Sequence, residues 1–264
     1  MRLRALVFSI LALALAICAP AQAQNKWSYD HVHLIATDPQ LGLDWYIKNM
    51  DGKPCDDEGV VVPREKASRV LIGDMMFLFI KNDMPKPSAG SVADSVGISF
   101  ADVAGKVKAL EAAGTKVVNP VRDIPNVWKR ALVEDPWGTR LELIQDPANL
   151  GFHHVALRVA DPEATMKWYM DAFGGTKGKM KGFDGVQYGK MWVLVTKAAE
   201  ATQPSQGHAI DHLGFRPTSM DAAAPELKAK GVKFTMEPRT NPSNGHKIAY
   251  VEDPNGTRIE LVQH

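Results

Sequence analysis

Cysteine is nearly absent: the 264 residues contain two, Cys18 and Cys55. Cys18 falls in an N-terminal stretch that reads as a removable leader, so Cys55 stands alone and no internal disulfide braces the remaining chain. Neither sign of charge dominates, with 31 Lys and Arg against 30 Asp and Glu. That balance excludes the basic footprint of a nucleic-acid binder or of a protein held on an anionic membrane. Beyond residue 23 no apolar run reads as a bilayer span, and no tract is of low complexity. The glycine-rich Gly174-Gly175-Thr176-Lys177-Gly178 follows a helical pattern and lacks phosphate-loop spacing, so it reads as a helix stop and implies no nucleotide site. What remains is a globular chain, 45% hydrophobic and 23% charged, stabilised by burial and expected to meet a small molecule rather than a polymer.

The leader has the usual parts. Arg2 and Arg4 precede an apolar run over 5–19, followed by Ala21-Gln22-Ala23, which predicts a signal peptide over 1–23 and a secreted or periplasmic protein free of the membrane after cleavage. Its removal takes two positive charges from a net +1.

The strongest signal is repetition. Asp30-His31-Val32-His33-Leu34, Asp38-Pro39 and Trp45-Tyr46 return as His153-His154-Val155-Ala156-Leu157, Asp161-Pro162 and Trp168-Tyr169, always 123 positions on. Glu134-Asp135-Pro136-Trp137-Gly138-Thr139-Arg140-Leu141-Glu142-Leu143 returns 118 positions on as Glu252-Asp253-Pro254-Asn255-Gly256-Thr257-Arg258-Ile259-Glu260-Leu261. Each half divides again at Asp94-Ser95 and Asp211-His212, giving four modules that open near residues 30, 94, 152 and 210. In the fourth, 211–216 alternates like a strand and 220–230 carries helical spacing closed by Gly231. Segments 232–234, 247–251 and 257–262 then read as strands, the last two joined by the turn Asp253-Pro254-Asn255-Gly256. The order is βαβββ, the fold class α+β, and the boundary between halves falls at 145–151, predicting domains over 27–146 and 151–264. Trp45, Trp168, Tyr169 and Met166 sit on the helices and read as core.

The strand openings and the two Asp-Pro-x-Gly-Thr-Arg-x-Glu-Leu endings make residues 27–264 resemble the vicinal oxygen chelate superfamily, which includes glyoxalase I, bleomycin resistance proteins and extradiol dioxygenases. The resemblance implies tandem domains, each pairing two modules in a cupped mixed sheet, with metal ligands on the first and last strands of each module. Carried over residue by residue, it implies a metal site of His154, His212 and Glu260 in the second half, suited to Fe(II), Mn(II), Zn(II) or Ni(II). Strand alternation supports Glu260, since Ile259 and Leu261 take the opposite face. The competing reading makes these hydrogen-bonded core histidines and an edge carboxylate. The fourth ligand position falls at Val193, and the first half keeps His31 and Glu142 but has Ser95 and Phe77 at the other two places, a degenerate site that His33 could rescue. The resemblance further implies that Tyr250, ten residues before Glu260, hydrogen-bonds a metal-held substrate oxygen and that His246 moves a proton. Three functions follow: a ring-cleaving dioxygenase, a redox-neutral isomerase, lyase or transferase, and a metal-free sequestration protein. The chain is expected to act as a monomer or a homodimer.

Overall fold

A computed structural model describes residues 26–264; the expected leader lies outside them. Four modules follow one another. The first holds β1 (Trp27–Ala36), α1 (Pro39–Asn49), β2 (Lys53–Cys55), β3 (Arg69–Ile72) and β4 (Met75–Lys81). The second holds β5 (Ala93–Ser99), α2 (Val103–Ala112), β6 (Lys116–Asp123), β7 (Lys129–Glu134) and β8 (Arg140–Ile144). The third holds β9 (Gly151–Val159), α3 (Pro162–Phe173), β10 (Thr176–Met180), β11 (Phe183–Tyr188) and β12 (Met191–Lys197). The fourth holds β13 (Ile210–Pro217), α4 (Met220–Ala229), β14 (Lys233–Thr240), β15 (Lys247–Glu252) and β16 (Arg258–Gln263). The α+β class and the module boundaries are as the sequence predicts, and no helix among the described residues is long and apolar enough to cross a membrane.

The repeated dipeptides have local causes. Asp38 and Asp161 cap α1 and α3 by accepting from the backbone N–H groups of Gln40 and Ala164, with proline next in line at the first helical position; that missing N–H has no intrahelical partner to lose. The Asp-Pro-x-Gly-Thr endings are turns in which Asp135 accepts from the N–H groups of Trp137 and Thr139, and Asp253 from those of Asn255 and Thr257. Gly138 and Gly256 have φ of 90° and 89°, a region costly to any residue with a Cβ.

Module pairing is the departure from expectation. The sheets run β14-β15-β16-β13-β1-β4-β3-β2 and β10-β11-β12-β9-β5-β8-β7-β6. Modules one and four therefore build the first sheet, modules two and three the second, and neither half of the chain closes a sheet by itself. The connections explain this. Residues 145–150 are all that separate β8 from β9, and Gly151 is paired with Ser99 of β5, whose other neighbour is Ile144 of β8; so short a link delivers β9 straight to the free edge of β5. Segments 82–92 and 198–209 carry the chain between sheets side by side, bonded through Val92 N–H to Gln203, Gln203 N–H to Gly90 and Ala209 N–H to Lys86.

The helices pack behind the sheets. Tyr46, Tyr169 and Met166 are fully buried and Trp45 and Trp168 partly so, as core. Tyr29 of the first sheet stacks on Phe152 of the second, ring centroids 5.9 Å apart, in a core continuous across both sheets. Cys55 is buried and unpaired.

Candidate metal centre

Each module opens on the same irregularity. In the β1–β13 register Tyr29 faces Phe215 and His31 faces Gly214, leaving Asp30 as an extra residue; His33 faces His212 and Leu34 faces Ile210, leaving Asp211 extra. In the β5–β9 register Asp94 and His153 are extra in the same way. A β-bulge re-aims the side chain at the extra position. Here it turns that side chain onto the residue that follows: Asp30 Oδ1 lies 2.7 Å from His31 Nδ1, and Asp211 Oδ1 lies 2.6 Å from His212 Nδ1.

In the first sheet's cup this fixes two imidazoles with their Nε2 atoms facing inward. His31 Nε2 and His212 Nε2 stand 3.2 and 3.1 Å from Glu260 Oε2, and His33 Nδ1 is 2.9 Å from His212 Nε2. One ligand-type atom from each of His31, His33, His212 and Glu260 falls within 4.8 Å of the others. His31 Nε2 is buried yet makes no well-formed hydrogen bond, an orphaned ligand atom of the sort a bound cation would satisfy. The aspartates behind the rings are anchored in turn: Arg216 reaches Asp30 and Arg258 reaches Asp211. Carboxylate–histidine pairs of this kind hold a metal-binding imidazole in the required tautomer.

The charges in the cup are set by these contacts. Burial would raise the Glu260 carboxyl, but the hydrogen bond with His212 and the close His31 imidazole outweigh it and hold the group well below the usual carboxylate range. Burial would lower His31, but its hydrogen bond to Asp30 and the nearby Glu260 carboxylate outweigh that and raise it to about 9. His33 is pushed well below its ordinary value by burial and by the neighbouring His212 and His31, which keeps it neutral and able to ligate.

The expected trio is not assembled. His212 and Glu260 belong to the first sheet, whereas His154, on β9, belongs to the second. There His154 Nε2 lies 3.8 Å from Glu142 Oε2 and without a hydrogen bond, and Ser95 donates to the same carboxylate. Its bulge partner is His153, the two Nδ1 atoms 3.0 Å apart, so the orienting carboxylate is missing. His31, placed by sequence in a degenerate site, is instead a member of the fuller cluster. The fourth ligand positions also move by one residue: Glu260 lies beside Gly214 and Glu142 beside Gly97, and the residues so placed in the other two modules are Leu78 beside His33 and Leu194 beside Ala156. Phe77 and Val193 face the core.

Tyr250 is paired with Glu260 across β15–β16, and its ring meets that of His212 edge-on at 5.2 Å. Burial and the Glu260 carboxylate raise its phenol above the ordinary value, so it remains a donor. His246 lies four residues back, about 13 Å along a strand, with its Nε2 3.2 Å from Glu58 and its ring stacked on His264. Glu58, His246 and His264 form a separate cluster. Glu58 and His264, and the bulge aspartates as orienting groups, are what sequence reasoning missed; His33, expected at most to rescue a first-half site, is a fourth ligand-type group of the first sheet's cluster. The repeated Asp-His at 30 and 211 was the available signal.

Comparisons with known proteins fit this architecture. The family model for the Glyoxalase/Bleomycin resistance protein/Dioxygenase superfamily matches residues 28–143 and 151–261. The chain is 25% identical over 126 residues to the lactoylglutathione lyase of Arabidopsis thaliana, the match covering 44% of each. It is 24% identical over 121 residues to the "Probable lactoylglutathione lyase" of Synechocystis sp., covering 42% of this chain and 92% of that protein. The chain thus spans less than half of the plant relative. Its fold resembles the crystal structure of glyoxalase I from Zea mays, with a TM-score of 0.67 at 21% identity over 90% of this chain and 93% of the other.

Proposed function

The chain belongs to the Glyoxalase/Bleomycin resistance protein/Dioxygenase superfamily, and from that premise we propose that it is a divalent-metal-dependent lyase or isomerase acting on a small oxygenated substrate in the first cup. The observation that carries the reading is the convergence of two imidazole Nε2 atoms on one carboxylate oxygen, each imidazole backed by an aspartate. His31, His33, His212 and Glu260 would hold the ion, a donor set suited to borderline divalent metals such as Fe(II), Mn(II), Zn(II) or Ni(II). A divalent ion bound there acts as a Lewis acid on neighbouring substrate oxygens. Asp30 and Asp211 keep the two rings oriented, and Tyr250 donates its hydroxyl proton in a hydrogen bond toward a substrate oxygen.

Redox-neutral chemistry is favoured over ring cleavage because His246, which a dioxygenase reading needs as the proton-moving residue, is engaged by Glu58 outside the metal cluster. The names of the lactoylglutathione lyase relatives support the same direction. The test measures metal content after purification, formation of lactoylglutathione, and oxygen uptake on catechols. Metal in the parent, its loss in His212→Ala, and lyase turnover without oxygen uptake are expected. Metal-free protein that still binds small molecules would leave sequestration as the function, and oxygen uptake would restore ring cleavage. Export through the leader over 1–23 belongs to the same proposal, checked by locating the processed protein outside the cytoplasm.

A further inference from the structure

The second cup carries fewer ligand-type groups than the first, and arginines line it. It encloses a cavity of about 310 Å³ between β6, β7, β8 and the strands of module three. Of the four superfamily positions it keeps only His154 and Glu142, the others being Ser95 and Leu194, and Ser95 Oγ donates to Glu142 at 2.9 Å. Lining the cavity are Arg122, Arg130 and Arg158. Arg158 is paired with Asp94 at 3.1 Å, a carboxylate it shares with Arg140, while Arg130 is 3.7 Å from Glu142. Arg122 has no acidic partner among the described residues.

Arg122 and Arg130 face one another directly across the β6–β7 ladder. Like charges in that position destabilise a sheet, and a bound anion between them would remove the penalty. The first sheet avoids the conflict: its matching pair is Arg239 and Ile248. The same cavity has an aromatic wall, Trp128 stacked parallel to Phe183 at 6.0 Å, with the Arg130 guanidinium 5.7 Å from the Phe183 ring. Two buried polar atoms there, His154 Nε2 and Trp128 Nε1, lack partners; such atoms are costly to bury unpaired.

We propose that the second cup is a metal-independent binding site for an aromatic carboxylate. The carboxylate lies between Arg122 and Arg130, the ring lies against Trp128, Phe183 and Leu194, and His154 meets a polar atom of the ligand. Arginine pairs suit planar carboxylates because the guanidinium fork matches their geometry.

The probe is 3-phenylpropionate, titrated calorimetrically into the full chain before and after treatment with EDTA, beside its uncharged amide. One saturable site per chain is expected for the carboxylate, surviving EDTA and the His212→Ala substitution, with the amide at least tenfold weaker. Arg122→Ala and Arg130→Ile should each weaken the carboxylate tenfold or more, and Arg130→Ile should melt no lower than the parent in the absence of ligand, because it removes the like-charge pair. Absence of saturable binding, equal binding of acid and amide, or binding lost with EDTA or His212→Ala but kept in Arg130→Ile would each overturn the proposal. A folded parent-like melting curve for Arg130→Ile separates lost binding from lost structure.

Discussion

Two glycines offer a matched pair of perturbations. Gly214 faces His31 across β1–β13 and Gly97 faces His154 across β5–β9. A Cβ at 214 would fall on the His31 ring, 2.6 Å from Cγ and nearer still to Cε1 and Nδ1; a Cβ at 97 would fall on the His154 ring in the same way, 2.7 Å from Nε2. Neither glycine has positive φ, so alanine is conformationally acceptable and the whole effect is steric. To reach an ordinary contact the ring must retreat about 1 Å, several times the roughly 0.2 Å tolerance of a ligand distance. For His31 that retreat also strains the 2.7 Å bond to Asp30, and disturbing such a partner lowers metal affinity about 10–100-fold. Both variants pay a similar packing penalty of about 1–3 kcal/mol. Gly214→Ala should therefore lose metal at least tenfold more readily than the parent, while Gly97→Ala keeps it, at comparable melting temperatures. Elemental analysis after dialysis and a Co(II) titration of each variant supply the measurement. If Gly97→Ala loses the metal and Gly214→Ala keeps it, the centre belongs to the second cup and the assignment made from the first is wrong.

Three further outcomes are expected. Burial, with smaller contributions from His153 and Arg130, pushes His154 down to about 3, so below the unfolded value of about 6.5 the unfolded chain takes up a proton that the folded one refuses. Stability then falls as pH drops from about 6.5 toward 3, by up to about 1.4 kcal/mol per pH unit, and His154→Gln should flatten that slope in urea titrations between pH 6 and 4.5; an unchanged slope removes His154 as its source. Burial raises Cys55 to about 11, leaving about one thiolate in a thousand at pH 8, so a disulfide reagent should label the chain in guanidinium and leave the native protein unmodified. Tyr46 on α1 donates to Asp135 Oδ2 at 2.8 Å in the turn after β7, and Tyr46→Phe, which strips a donor from a buried carboxylate, should cost about 1–3 kcal/mol in thermal melts while leaving metal content alone.

Local structure was legible because it is written in short-range chemistry. Asp-Pro announces a capped helix and Asp-Pro-x-Gly-Thr a turn, and each recurs at the spacing the modules require. The pairing of modules was not legible from repetition, since an offset that maps one half onto the other is equally compatible with pairing one with two or one with four. The physical discriminator was the length of the connections, six residues at 145–150 against about a dozen at 82–92 and 198–209. His154 is parted from His212 and Glu260 because module three pairs with module two, and the parallel register sets Leu194, one residue beyond Val193, beside Ala156.

Ligand counting would have favoured the observed pairing. Joining modules three and four gathers His154, His212 and Glu260 in one cup and leaves His31, His33 and Glu142 in the other, two partial sites of similar quality. Joining one and four gathers His31, His33, His212 and Glu260, with an aspartate behind two of the imidazoles, and leaves His154 and Glu142 beside arginines. The second arrangement sorts like chemistry with like: three imidazoles and both orienting aspartates in one cup, cations and aromatic surface in the other. His153 stands at the bulge position where the first cup has Asp30 and Asp211, so the second cup lacks the carboxylate that would hold His154 in a metal-binding tautomer.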